Sequence, residues 1–142
     1  MKVYPDANIY IAYLLAEKDE PLIDTFFRQG ASCRFTIVAS KTMFAEIAQI
    51  CQGKSILLLQ KHIDDFKEAG KLEIVDKTSE DVEKAIELDI KSGKKCGLND
   101  FLHAILAKKY ADVLVTNDAK LIPHASKIVR TMKMKDFLIS EP

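Results

Sequence analysis

Between Gly97 and Asp118 the chain reads Gly-Leu-Asn-Asp-Phe-Leu-His-Ala-Ile-Leu-Ala-Lys-Lys-Tyr-Ala-Asp-Val-Leu-Val-Thr-Asn-Asp, and few architectures accommodate it. Phe101, Leu102, Ile105 and Leu106 recur at helical spacing and make one apolar stripe suited to a sheet. Asn99 reads as the N-cap, which puts Asp100 in the first turn, where the helix dipole favours an ionised carboxylate. Asp112-Val-Leu-Val-Thr116 is short, apolar and β-branched, the pattern of a strand buried on both faces. A helix over 100–110 is about 16 Å long. A strand over 112–117 covers roughly 17–20 Å. If the helix descends one face of a sheet and the strand climbs back, Asp100 and Asp118 finish on one edge. That edge is the carboxyl end of the strands, where open α/β sheets hold their ligands.

The same alternation runs through the rest of the chain. Lys2 to Asp6 reads as a first strand ending in an acid, kept brief by Pro5, and Asn8 is placed to cap a helix with Ile11, Leu14 and Leu15 inward. Pro21 opens a second helix carrying Leu22, Ile23, Phe26 and Phe27, and Gly30 ends it. Arg34 to Val38 is the second strand. Ser40 then caps a helix whose apolar face is Met43, Phe44, Ile47, Ile50 and Cys51. A longer helix over 55–69 turns Ile56, Leu59, Ile63 and Phe66 inward. Its surplus Leu57 and Leu58 either bury against the preceding helix or form part of a homodimer contact. Leu72 to Val75 is a third strand. Thr78 caps the next helix, with Asp81 in the reciprocal capping position and Val82, Ile86 and Ile90 on the core face. A short helix near 119–124 bends at Pro123, Lys127 to Thr131 forms a fifth strand, and a last turn carries Phe137 and Leu138. These elements predict an α/β fold: a three-layer α/β/α sandwich around a mostly parallel sheet of about five strands. At 142 residues it is read as one domain over 1–142.

Composition narrows the function classes. Twenty-one basic residues balance 21 acidic ones, so net charge does not argue for a nucleic-acid partner. Lys91, Lys94 and Lys95, and the cluster Lys120, Lys127, Arg130, Lys133 and Lys135, are compatible with phosphate contacts. There is no membrane-length apolar run and no signal peptide. Cys33, Cys51 and Cys96 lack metal-finger spacing and read as reduced cytoplasmic core fillers.

Four acids then stand out. Asp6 and Asp118 end strands and Asp100 starts a helix. Glu46 borders the apolar stripe of its helix, where a solvated glutamate would sit less comfortably. Two carboxylates in contact repel by about 4 kcal/mol at an effective dielectric of about 20. A converging set therefore needs raised pKa values or a bound cation. All-oxygen ligands select hard cations such as Mg²⁺ or Mn²⁺, which meet their substrates through phosphate oxygens.

At this point the sequence resembles a known family. Tyr-Pro-Asp-Ala-Asn8, the segment Ser40 to Glu46, Leu-Asn-Asp-Phe-Leu-His-Ala104 and Val-Thr-Asn-Asp118 look like the four motifs of PIN-domain ribonucleases, in the length and order of VapC-like toxins. The resemblance covers nearly the whole chain. It implies a PIN-like fold and a Mg²⁺- or Mn²⁺-dependent endoribonuclease with Asp6, Glu46, Asp100 and Asp118 as metal and catalytic carboxylates. It further implies that Thr116 orders the last acid by hydrogen bonding and that Asn8 supports the first. A homodimer, an RNA substrate and a small antitoxin that silences the groove are implied partners. Lys94, Lys95 and Lys120 are candidate RNA contacts. Two residues depart from the pattern: Pro5, where an apolar strand residue is usual, and His103, where a small apolar residue is commoner. His103 reads as a satisfied structural histidine rather than a ligand, and His62 and His124 as solvated. Two other readings compete. A haloacid-dehalogenase-like phosphatase needs an acid two residues after the strand-one Asp, and Asn8 stands there. A non-catalytic PIN-like or receiver-like scaffold, or an RNA-processing nuclease that is no toxin, completes the set.

Overall fold

The structure, a computed structural model, describes residues 1–15 and 21–140. Five strands, β1 (Lys2–Pro5), β2 (Thr36–Ser40), β3 (Leu72–Val75), β4 (Val113–Val115) and β5 (Thr131–Met132), form one sheet in the order β3-β2-β1-β4-β5. Every pairing is parallel. The helices among the described residues are α1 (Ala7–Leu14), α2 (Pro21–Ala31), α3 (Lys41–Ile50), α4 (Lys54–Glu68), α5 (Ser79–Lys91), α6 (Leu98–Tyr110), α7 (Ile122–Ala125) and α8 (Met134–Ser140). Val3, Tyr4, Ile37, Val38, Ala39, Val113, Leu114 and Val115 are all fully buried. Since successive strand residues point to opposite faces, the sheet is covered on both, as three layers require. Among the described residues no helix is long and apolar enough to cross a membrane.

The chain passes from β1 outward to β3 and returns on the far side of β1 as β4. The carboxyl ends of β1 and β4 therefore flank the switch point of the sheet, the usual crevice of an open α/β fold. Pro5 survives in this central strand because it is the last residue. Asp6 N–H donates to Val115 O of β4 at 2.8 Å, so the donor Pro5 lacks would have faced β2, whose register with β1 stops at Val3.

Several sequence expectations shift. Asp6, not Asn8, is the N-cap residue of α1, and Gly97, not Asn99, that of α6; Asn8 and Asn99 lie exposed inside first turns. Gly30 does not end α2. A Cβ there would lie 3.2 Å from the Phe35 ring and 3.3 Å from Ile37, so the glycine admits close packing on β2. Ile50 is exposed because Cys51 takes the inward place at the end of α3. Leu57 and Leu58 do not bury against α3; they are 70% and 52% exposed. On α5 the inward line is Asp81, Ala85 and Leu88, leaving Ile86 and Ile90 outside. Pro123 lies in the first turn of α7 instead of bending its end, and residues 127–130 are held in turns by Ile128 and Val129 N–H bonds to Ala125 O. The fifth strand therefore starts only at Thr131. Of the cysteines only Cys51 is a buried filler; Cys33 is exposed.

His62 is the largest correction. It is buried in an aromatic box, stacked on Phe66 with centroids 4.2 Å apart and set edge-on to Tyr10 and Phe27. Its Nε2 shares a 3.0 Å hydrogen bond with the Tyr10 hydroxyl, and burial lowers its pKa to about 4.

Candidate active site

Asp6 sits at the end of β1, 6% exposed, and its carboxylate Oδ2 accepts a 2.8 Å hydrogen bond from the Thr116 hydroxyl. The same hydroxyl accepts the Asp118 N–H at 3.1 Å. One buried threonine thus ties together acids that leave adjacent strands. The expectation for Thr116 changes in detail: its side chain bonds the first acid and only the main chain of the last. Burial pushes the Asp6 pKa up, Thr116 and His103 oppose that, and the nearby Asp100 charge adds to the rise.

Asp100 lies in the first turn of α6 and accepts the Gly97 N–H through Oδ2 at 3.1 Å. Asp118 is half-buried, and its Oδ1 accepts the Lys120 N–H at 2.9 Å in a tight turn after β4. Both charges reach Cys96, whose thiol pKa is raised by burial first and then by Asp100 and Asp118.

Glu46 ends a buried chain of hydrogen bonds that starts at the N-cap of α3. Met43 N–H donates to Ser40 Oγ (3.0 Å), Ser40 Oγ and the Tyr4 hydroxyl are 2.8 Å apart, and that hydroxyl is 2.6 Å from His103 Nδ1. His103 Nε2 is 2.7 Å from Glu46 Oε1. The polarity of this chain follows by elimination. A carboxylate only accepts, so Nε2 carries a proton and donates it to Glu46; in the neutral ring Nδ1 then accepts from the Tyr4 hydroxyl, which in turn accepts from Ser40. Tyr4 can keep its proton because burial raises its pKa, with Glu46 and Asp6 adding to the rise. His103, 2% exposed and bonded at both nitrogens, is thus the satisfied structural histidine expected, with Glu46 as a hydrogen-bond partner. Tyr4 escaped sequence analysis, although a phenol in a fully buried strand must find a polar partner.

The structure therefore sets Asp6, Asp100 and Asp118 along the carboxyl edge of the sheet, while Glu46 is bonded to His103, which shares α6 with Asp100 and acts on Asp6 through its charge interaction alone. Each of the four has one carboxylate oxygen held by a donor of the protein. Among the described residues, no group of three His, Cys, Asp or Glu side chains is arranged to hold a metal ion as it stands. Nor does any lysine or arginine among them form a salt bridge with Asp6, Asp100 or Asp118. A buried carboxylate beside a second one, with no cationic side chain to balance them, is an oxygen donor set that fits a hard cation. Asn8 is exposed on α1, and Lys94, Lys95 and Lys120 are exposed on the loops flanking α6 and β4.

A profile of the PIN domain matches residues 3–127. The chain belongs to the PIN-domain family. PIN domains are generally nucleases that use divalent metal ions. Among solved structures, this PIN domain is similar to a chain of VapBC2 from Rickettsia felis, solved bound to a DNA fragment from their promoter. The identity is 25%, the TM-score 0.61, and the match covers 94% of this chain and 98% of that one. A chain of FitAcB from Neisseria gonorrhoeae (16%, TM-score 0.59, covering 94% and 98%) and PAE2754 from Pyrobaculum aerophilum (16%, 0.55, 98% and 96%) share the fold. A search of curated proteins returns no match.

Proposed function

We propose that this PIN domain is a metal-dependent endoribonuclease that hydrolyses RNA phosphodiester bonds in the cytoplasm, as the toxin of a type II toxin–antitoxin pair. The observation that carries the reading is the common state of its acids: Asp6, Glu46, Asp100 and Asp118 each have one oxygen pinned by the protein. Pinning one oxygen aims the other, and a carboxylate aimed at a partner that no side chain supplies is a ligand for Mg²⁺ or Mn²⁺. Such a cation, when bound, supplies a water activated near neutral pH and charge for the departing oxygen. Thr116 keeps Asp6 and Asp118 at a fixed separation, so that the rim is assembled before substrate arrives. The Tyr4–His103 chain keeps Glu46 oriented. Asn8, two residues after Asp6 and exposed, and Lys94, Lys95 and Lys120 are proposed to meet the RNA or its bound water.

Support for the toxin role comes from VapBC2, a toxin–antitoxin complex matched over nearly the whole chain. An antitoxin is therefore the proposed partner. Leu57 and Leu58, left uncovered on α4, support a contact with a second copy. Purified protein with Mn²⁺ is expected to nick RNA, to stop on chelation and to recover on metal return. Asp6→Asn and Asp118→Asn should each abolish cleavage while retaining the native circular dichroism. Full activity in Asp118→Asn removes the mechanism; hydrolysis of a simple phosphomonoester instead favours the phosphatase; calorimetry without divalent-ion binding favours the scaffold.

A further inference from the structure

A second charged feature lies on the α5–α6 face. Two hollows of about 820 and 330 Å³ run end to end along these helices, and Ile128 lines both. The helices are antiparallel, since Asp81 at the start of α5 pairs with Lys109 at the end of α6. Lys84 and Lys91 are seven residues apart on α5, and Phe101, Ile105 and Lys108 fall on one face of α6, so a single groove receives them all. Six lysines line it (Lys84, Lys91, Lys95, Lys108, Lys109 and Lys127) against two acids, Glu80 and Asp81.

That imbalance stands out in a chain whose charges cancel overall. Lys109 is held by Asp81 and Lys91 by Glu87. Lys84, Lys95, Lys108 and Lys127 form no ion pair among the described residues. The floor, Phe101 and Ile105, is buried, and the half-buried ring of His124 on its wall is set edge-on to Phe101. Lysine is a flexible point charge, and six lysines around a single histidine ring suit phosphates more than bases. Its far end is lined by Phe101 and Lys95, at the end of α6 that also carries Asp100.

We infer that this groove binds the phosphate backbone of a single-stranded RNA and feeds it, without regard to sequence, to the acids at the start of α6. The inference rests on the nuclease reading for the identity of the strand. α5 is about 20 Å long, enough to track several phosphates of one strand.

The test uses the full chain carrying Asp118→Asn, end-labelled RNA 12-mers of two unrelated sequences, and fluorescence anisotropy over a range of salt. Adding Lys108→Gln with Lys127→Gln should weaken binding about 10-fold for both sequences and flatten the log–log salt dependence by about 1.4, near 0.7 per lost phosphate contact. Lys67→Gln, on exposed α4, should change neither value. In the otherwise native enzyme the two groove substitutions should raise KM and leave kcat alone. Unchanged affinity and slope overturn the groove, as does equal competition by polyglutamate, which would mark a general acid-binding face. The outcomes separate the two readings. Acid-dependent cleavage with groove-independent binding removes only the groove, and groove-dependent binding without cleavage in Mn²⁺ removes only the nuclease.

Discussion

Asp81 and Asp100 occupy equivalent places in their helices. Each is the third residue of its helix, and each reaches back through a carboxylate oxygen to the main chain of the residue that caps it, Thr78 or Gly97. Beyond that turn their surroundings part. Asp81 accepts two hydrogen bonds from the Lys109 ammonium, at 3.0 and 3.1 Å, and although burial opposes it, the Thr78 and Lys109 bonds hold its pKa below the ordinary carboxylate value. Asp100 has no lysine or arginine partner among the described residues and adds its charge to the burden on Asp6. One local motif therefore serves two ends. A capping acid that finds a cation stabilises the fold, and a capping acid set beside another acid is available to a ligand.

The largest test of this contrast is catalytic. Asp100→Asn should lower RNA cleavage by at least about 100-fold, because the carboxylate charge is lost while the amide oxygen still accepts Gly97 N–H. Asp81→Asn should leave cleavage per folded molecule intact. Equal losses in both would erase the distinction.

Next in size is the histidine that orients Glu46. His103→Leu leaves that carboxylate without its donor and should weaken Mn²⁺ binding about 10- to 100-fold by calorimetry. His103→Gln, which can still present an N–H, should recover most of it. In the native protein, nitrogen-15 NMR of the ring should report a proton on Nε2; a proton on Nδ1 would reverse the deduced chain.

Stability should move in opposite directions at the two kinds of acid. The Asp81 pKa is lowered by folding, so its contribution is complete above the unfolded value near 3.8 and disappears as pH falls through the folded one. Asp81→Ala should therefore lower stability at neutral pH, by about 1 kcal/mol for the lost cap, and this difference should vanish in acid. The Asp6 pKa is raised by folding, so its ionisation opposes the folded state increasingly as pH rises from 3.8 through the folded value. Asp6→Asn should raise the thermal midpoint at neutral pH while abolishing cleavage, and a lowered midpoint would contradict the burial account.

The smallest effect concerns the half-built cap of α6. Gly97 has φ −93° and ψ 162°, which any residue adopts, and a Cβ there would meet nothing nearer than Asp100 Oδ2 at 3.8 Å. Gly97→Ser supplies the missing side-chain acceptor and should stabilise by a few tenths of a kcal/mol, measured by denaturant midpoint.

What the sequence revealed follows from the range of the forces involved. Strand and helix order, the Thr78–Asp81 box and the Ser40 cap were legible because each depends on a few neighbouring residues. The edge shared by Asp100 and Asp118 followed from element lengths alone, and Asp6 was placed with them as the acid ending the first strand. Hidden were the contacts that join distant segments. His62 looked solvated because α4 has charged residues around it, yet Tyr10 and Phe27 from α1 and α2 close over its ring. Ile86 and Ile90 fit a helical stripe, but α5 turns Asp81, Ala85 and Leu88 inward and leaves those two exposed. Asn8 and Asn99 had the chemistry of caps, and the strand and loop geometry placed Asp6 and Gly97 there instead.

The 2.8 Å bond between Thr116 and Asp6 spans 110 positions of chain. During synthesis the first acid leaves the ribosome 110 residues ahead of the threonine that fixes it. Until then β1 lacks its β4 neighbour, and Asp6 is a solvated carboxylate with nothing to hold it. Any chemistry that needs both strand ends is withheld from the growing polypeptide, and a truncation anywhere before residue 116 leaves a fragment unable to assemble it.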